Sequence, residues 1–265
     1  MWNNLFLSID FTNAGTWVSL ITLCFLEIVL GVDNIIFISI VTGKLPQKEQ
    51  ARARNIGMLL AMGFRVCLLL GINLIIAMKD PVITVPDIFH QVKGAKIGLS
   101  YKDLILIAGG VFLLVKSIME IHHKMNEAAE GGPKEAKDAK KSGFGNILIQ
   151  IVLVDAVFSF DSILTAVGLV DNVTIMIIAV IISMGIMMLF AGGVAALINK
   201  YPTLQMLALS FLVVIGVVLI ASGFHEEVNK SIIYSCLGFS MIVEMLNIRF
   251  RKKTSKAKQL PDDLQ

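Results

Sequence analysis

Apolar residues occur along this chain in long blocks, and polar residues collect between them. Seven blocks stand out: Trp17–Val41, Ile56–Met78, Leu104–Ile121, Ile147–Val170, Val173–Ile198, Leu204–Phe224 and Ser231–Leu246. A helix of roughly 17 to 25 apolar residues crosses the hydrocarbon core of a bilayer. Inside that core the backbone must satisfy its own polar groups, which a helix does within one segment. The pattern therefore predicts an all-α polytopic membrane protein with seven transmembrane helices and no strands. The polar intervals divide it into an extracytoplasmic segment 1–16, a first three-helix unit 17–121, a linker 122–146, a second three-helix unit 147–224, a seventh helix within 225–248 and a basic tail 249–265.

Composition agrees with that class. The 265 residues are 56% hydrophobic and 16% charged, with mean hydropathy +0.79, whereas a soluble domain carries about a quarter charged residues. The bilayer is the expected partner, and no nucleic acid is. The first basic residue is Lys44, so the basic n-region of a cleavable signal peptide is missing. Cys24, Cys67 and Cys236 fall inside separate apolar blocks. They read as small apolar residues, not as a disulfide framework or a zinc site.

Charge sets the expected orientation. With the loops alternating across seven spans, sixteen Lys and Arg fall on one side and five on the other. The richer side includes the stretch "EAAEGGPKEAKDAKKSG" (127–143) and the C-terminal tail. The positive-inside rule makes that side cytoplasmic, with the N-terminus outside and the C-terminus inside.

The chemistry lies where the apolar blocks are interrupted. The first block contains "EIVLGVDN" (27–34) and the fourth contains "DAVFSFDS" (155–162). Glu27 matches Asp155, Asp33 matches Asp161 and Asn34 matches Ser162, at an offset of 128 positions. Three spans separate the motifs, so the second enters the membrane from the opposite face. The expected architecture is a 3+3 inverted repeat plus one C-terminal helix. Transporters built this way hold substrate near the midplane, between the repeats.

A carboxylate at the centre of a membrane helix costs on the order of 2.5 to 3.5 kcal/mol, so four cost roughly 10 to 14. That is comparable with the whole net stability of a domain, about 5 to 15 kcal/mol. Two basic residues, Arg65 and Lys116, lie within spans and can offset part of it. The remaining two negative charges match one divalent cation or two protons, a balance suited to proton-coupled exchange. The candidate metal ligands are Glu27, Asp33, Asn34, Asp155 and Asp161, with Arg65, Lys116, Ser159 and Ser162 as supporting or charge-compensating groups. An all-oxygen set favours hard cations such as Mg²⁺, Ca²⁺ and Mn²⁺. Glu27 and Asn34 share one helix face, as do Asp155 and Ser162, while Asp33 and Asp161 point about 120° away. Convergence on one ion then requires common packing or a local break, for which Gly31 is the natural place and Ser159 a less ready one.

Other polar residues read as ordinary: His122 and His123 as interfacial, His90 and His225 as outer-loop residues, Glu120 and Glu244 as solvated near helix ends. The thirteen Met are dispersed and read as packing. No nucleophile–base pair, phosphate loop or organic-cofactor motif is present, so no enzymatic activity is expected.

"EIVLGVDNIIFIS" and "VLVDAVFSFDSILTAVGL", followed by "YPTLQMLALSFLVVIGVVLI" and "IIYSCLGFSMIVEMLN", resemble the signature segments and later spans of the TerC family, over about residues 17 to 248. Ser222 is a departure, since close relatives often carry an acid at that position. The family is grouped with LysE-type exporters, and its name comes from tellurite resistance. The resemblance implies an exporter of Mn²⁺ in the bacterial cytoplasmic (inner) membrane, its motif acids being Glu27, Asp33, Asp155 and Asp161. Ca²⁺ transport is one alternative. Another is a membrane adaptor in a tellurite-resistance or envelope-stress complex, with the acids purely structural.

Overall fold

The computed structural model describes residues 12–72, 80–86, 96–129, 143–170, 172–226 and 228–257; the side chains of 127–129, 161, 164, 165, 230 and 252–257 lie outside that description. Seven helices are described: α1 (Ala14–Thr42), α2 (Gln47–Leu70), α3 (Tyr101–Ala129), α4 (Phe144–Val167), α5 (Val173–Lys200), α6 (Pro202–Gly223) and α7 (Lys230–Ala257). All except α4 contain a stretch long and apolar enough to cross a membrane; in α4 the apolar stretch described is the shorter Phe144–Phe160. The protein is a polytopic, all-helical membrane protein in its spanning part.

The helix ends follow local chemistry. Asn172 caps α5 by accepting from the backbone N–H groups of Thr174 and Ile175. Pro202 opens α6, where its missing N–H costs nothing. The second apolar block starts at Ile56, but α2 starts nine residues earlier, at Gln47. "QKEQARAR" is amphipathic and buries Ala53, and hydropathy alone does not register such a turn.

One expectation is overturned outside the membrane. The connection between α2 and α3 contains two antiparallel strands, β1 (Pro81–Pro86) and β2 (Lys96–Ser100), paired Ile83 to Leu99 and Val85 to Ile97. "PVITVP" is rich in β-branched residues and bounded by prolines, which suit the ends of a short, mostly exposed edge strand.

The bundle pairs helices across the two units. Helix α1 runs parallel to α5, with Gly31 against Met187 and Gly43 against Asn199. Helix α2 packs on α4, with Gly57 against Ile151. Helices α3 and α6 lie antiparallel with their backbones in close approach. A Cβ on Gly110 would stand 2.7 Å from the Gly216 carbonyl oxygen, and one on Gly223 would stand 2.5 Å from Ile107. Exchanging α1–α3 with α4–α6 carries the α1–α5 pairing into α4–α2 and returns α3–α6 to itself. Helix α7 packs on α6 at the periphery and exposes Ile232, Phe239 and Ile242. Large apolar side chains such as Leu189 and Phe190 also face outward, while Glu27, Asp33, Asn34, Arg65, Asp155, Ser159 and Ser162 are buried. Greasy outside and charged within is the distribution a lipid solvent demands.

Candidate functional site

On α1, Glu27, Gly31 and Asn34 follow the i, i+4, i+7 spacing of one helix face, and Asp155, Ser159 and Ser162 do the same on α4. The two faces meet. Asn34 Nδ2 donates to Asp155 Oδ1 at 3.0 Å, and Ser159 Oγ donates to Asp155 Oδ2 at 2.9 Å. Ser162 Oγ donates to the Ser159 carbonyl at 3.3 Å and lies within hydrogen-bonding reach of Glu27.

Arg65 enters this contact from α2. Its Nε and Nη2 donate to the two oxygens of Asp155 at 3.2 and 2.9 Å, while Nη1 donates to Glu27 Oε2. The planar guanidinium suits this double fork, which an ammonium cannot reproduce. Arg65 is 2% exposed, Glu27 5% and Asp155 2%, so each ion depends on the others for its stabilisation. The matched acids of the two motifs thus share one arginine.

Asp33 is set apart. It is 3% exposed and lies near Tyr234 of α7, while its Oδ2 is buried without a hydrogen-bond partner among the described residues. Asn34 Oδ1 is likewise unpartnered. Arg65, Ser162 and Tyr234 line a common cavity of about 30 Å³, otherwise walled mainly by Leu30, Phe158 and Ile215. A cavity needs about 10 to 15 Å³ of such space to hold a water, so one fits. The backbone of Asp161 is helical, and its side chain is outside the described residues.

Four expectations change. Helix α1 is unbroken through Gly31, and α4 is unbroken through Ser159. Gly31 serves instead as a seat for α5, since a Cβ there would stand 2.3 Å from Met187 Sδ. In neither motif does an unwound turn offer carbonyl ligands. Lys116 does not join the acids; its charged neighbours are Lys44 and Glu120. Glu120 is not a solvated end residue, being 5% exposed and ion-paired with Lys44. His225 is not an idle loop residue either. Its Nε2 lies 2.9 Å from Asp103 Oδ2, and it adopts a left-handed backbone, φ 64°.

His122 contacts Asn126 at 3.1 Å, Glu244 is half-buried on α7, and His90 lies outside the described residues. Among the described residues no three His, Cys, Asp or Glu side chains stand as a ready metal-ligand set. Tyr234 was missed by sequence reasoning; its only signal is a hydroxyl-bearing ring inside an apolar span.

A family-level match covers residues 12–259, to the integral membrane protein TerC family. The chain belongs to the TerC family. Among its relatives, the UPF0053 protein of Haemophilus influenzae is 42% identical over 236 residues, covering 89% of this chain and 94% of that protein. The UPF0053 inner membrane protein YgdQ of Escherichia coli K12 is 41% identical over 242 residues, covering 91% and 96%. TerC-family relatives also come in longer forms: Escherichia coli YegH is 39% identical over 231 residues, of which this chain spans 42% of the length. No solved structure matches this TerC-family chain.

Proposed function

We propose that this TerC-family protein transports a divalent metal ion, Mn²⁺ first, outward across the bacterial inner membrane through the carboxylates of its two matched motifs. The observation that supports this best is the buried meeting of Glu27, Asp155 and Arg65 beside Asp33. One guanidinium is shared by two buried carboxylates, Glu27 and Asp155, and Asp33 is a third buried acid outside its fork; Asp161 is the fourth acid of the two motifs. The surplus is negative and lies among helices, where only a cation or protons can balance it. With Lys116 beside Lys44 and Glu120 instead of the motif acids, that surplus is larger than the sequence count allows.

Arg65 supplies the exchange. It holds Glu27 and Asp155 together through its fork. A divalent cation that takes these oxygens must release the guanidinium, and departure of the ion restores it. The helix pairings fit two inverted three-helix units rocking about the α3–α6 contact, and oxygen ligands suit Mn²⁺ or Ca²⁺. Outward direction follows from the family resemblance, and inner-membrane location from the names of the relatives. Transport, not catalysis, is the activity.

A second reading has one observation in its favour. Arg65 engages both oxygens of Asp155 and one of Glu27, as it would in a purely structural ion cluster of a membrane adaptor. Reconstitution separates the two. Purified protein in proteoliposomes should carry Mn²⁺ down an imposed gradient and carry none when Asp33 or Asp155 is made neutral. Absence of Mn²⁺ flux in the wild type sinks the transport reading.

A further inference from the structure

Helices α2, α3 and α4 each present two turns of an apolar face to one space. The three stripes run from Phe64 to Gly71, from Ile105 to Phe112 and from Leu153 to Phe160, each at the i, i+3, i+4, i+7 spacing of a single face. Helix faces of this kind ordinarily interlock. Here Gly71, Ala108, Gly109 and Ala156 supply little or no side chain, and a cleft of about 580 Å³ is left between the helices. Helix α3 touches α4 at its wall, where a Cβ on Gly109 would stand 2.4 Å from Val157 Cγ1. Phe160 is buried, while Phe64, Ile105 and Leu153 are exposed, so the space opens outward to the bilayer.

A dry void of that size forfeits dispersion contacts for every group around it. Water does not fill it, because a buried water needs two to four polar partners and the lining is almost wholly apolar. What the bilayer offers at this depth is hydrocarbon, and the volume falls within the roughly 300 to 1,000 Å³ of small-molecule sites. The α3 face continues past Ile105 to Lys102 and Tyr101, at the end where α3 follows β2. Lys102 is half-buried and Tyr101 is exposed. A cation and an aromatic hydroxyl one turn beyond an apolar cleft match the head-group level of a membrane. We propose that the cleft between α2, α3 and α4 binds a phospholipid, with one acyl chain lying along the three stripes and the phosphate against Lys102. On α4 the stripe lies roughly opposite Asp155, Ser159 and Ser162. The lipid therefore packs behind the ion cluster and completes the packing of α2 and α4 against α3. This lipid site stands whether or not the motif acids carry a metal.

The test uses the full chain, purified in detergent and washed free of loosely held lipid. A phospholipid should remain bound, seen by mass spectrometry of the intact complex and by phosphorus assay. Ala156→Phe fills the cleft and should abolish that retention. Gly185→Phe adds similar bulk on α5, where a Cβ meets nothing within 4 Å, and should leave retention unchanged. Lys102→Gln removes the charge and should weaken retention about fivefold. A second measurement leaves the cleft unaltered. Cys67 lines it and is exposed. With Cys24 and Cys236 replaced by Ala, lipid-stripped protein should be alkylated at Cys67 by N-ethylmaleimide, and added phosphatidylglycerol should protect it. Equal retention in Ala156→Phe and wild type overturns the inference, as does alkylation that phosphatidylglycerol leaves unchanged. Protection by a free fatty acid and not by phosphatidylglycerol assigns the cleft to another ligand and overturns it too. So does a stable dimer that Ala156→Phe dissociates while the wild type retains no lipid.

Discussion

Glu27 and Asp155 occupy matching positions in two motifs 128 residues apart, and the guanidinium of Arg65 joins them. The pairing puts a cation from α2 between α1 and α4, where the polar faces of those two helices touch through Asn34 and Asp155. It also sets the first test. Arg65→Gln leaves two buried carboxylates without their counterion. Breaking one side of a buried ion pair costs about 3 to 5 kcal/mol, so the variant should lose most of its resistance to denaturation in detergent. Neutralising both acids as well, in Glu27→Gln/Asp155→Asn/Arg65→Gln, should recover a large part of that stability without recovering transport. Arg65→Lys should fall between, because it keeps the charge and loses the fork.

Asp33 and Asp161 test whether the motifs act together. Asp33→Asn and Asp161→Asn each preserve side-chain size and remove a charge. Each should abolish protection of a manganese-sensitive host while the protein remains in the membrane. The double variant should be no worse than either single one, since residues of one shared site are not additive. Mn²⁺ should raise the melting temperature of the wild type by mass action and leave both variants unmoved. Retained export in both single variants would sink a shared site.

His225 carries a separate, structural prediction. It holds a left-handed backbone while its ring contacts Asp103, which also accepts from the Ser100 N–H at 2.9 Å and the Ser100 hydroxyl at 2.7 Å. His225→Ala loses the ring contact and keeps the backbone cost. His225→Gly loses the same contact and relieves the backbone, a difference of about 1 kcal/mol. Thermal denaturation should therefore rank wild type, then His225→Gly, then His225→Ala. Equal stability of the two variants would mean that the left-handed conformation carries no cost.

The orientation is testable from the sequence alone. The basic asymmetry assigns the 127–143 connector to the cytoplasm. A cysteine replacing Ser142 should resist a membrane-impermeant thiol reagent in intact cells and react in everted vesicles. Ready labelling from outside would reverse the topology and the outward direction of flux.

Seven apolar blocks were legible because membrane insertion is decided segment by segment, by length and by the cost of each polar group. The matched acids were legible for the same reason, being conspicuous in a greasy context at equal spacing. The shared faces of Glu27 with Asn34 and of Asp155 with Ser162 followed from helical periodicity. What the sequence left open were the relations between segments. Arg65 and Lys116 are both bases within spans, and only the packing of α2 against α4 sends Arg65 to the acids, while Lys116 keeps company with Lys44 and Glu120. Gly31 permits either a break or a close approach, and Met187 of α5 fills the space that makes it an approach. Tyr234 comes near Asp33 only because α7 lies against α6. Periodicity fixes which residues of one helix share a face; which helix that face meets is settled by the packing of the whole bundle.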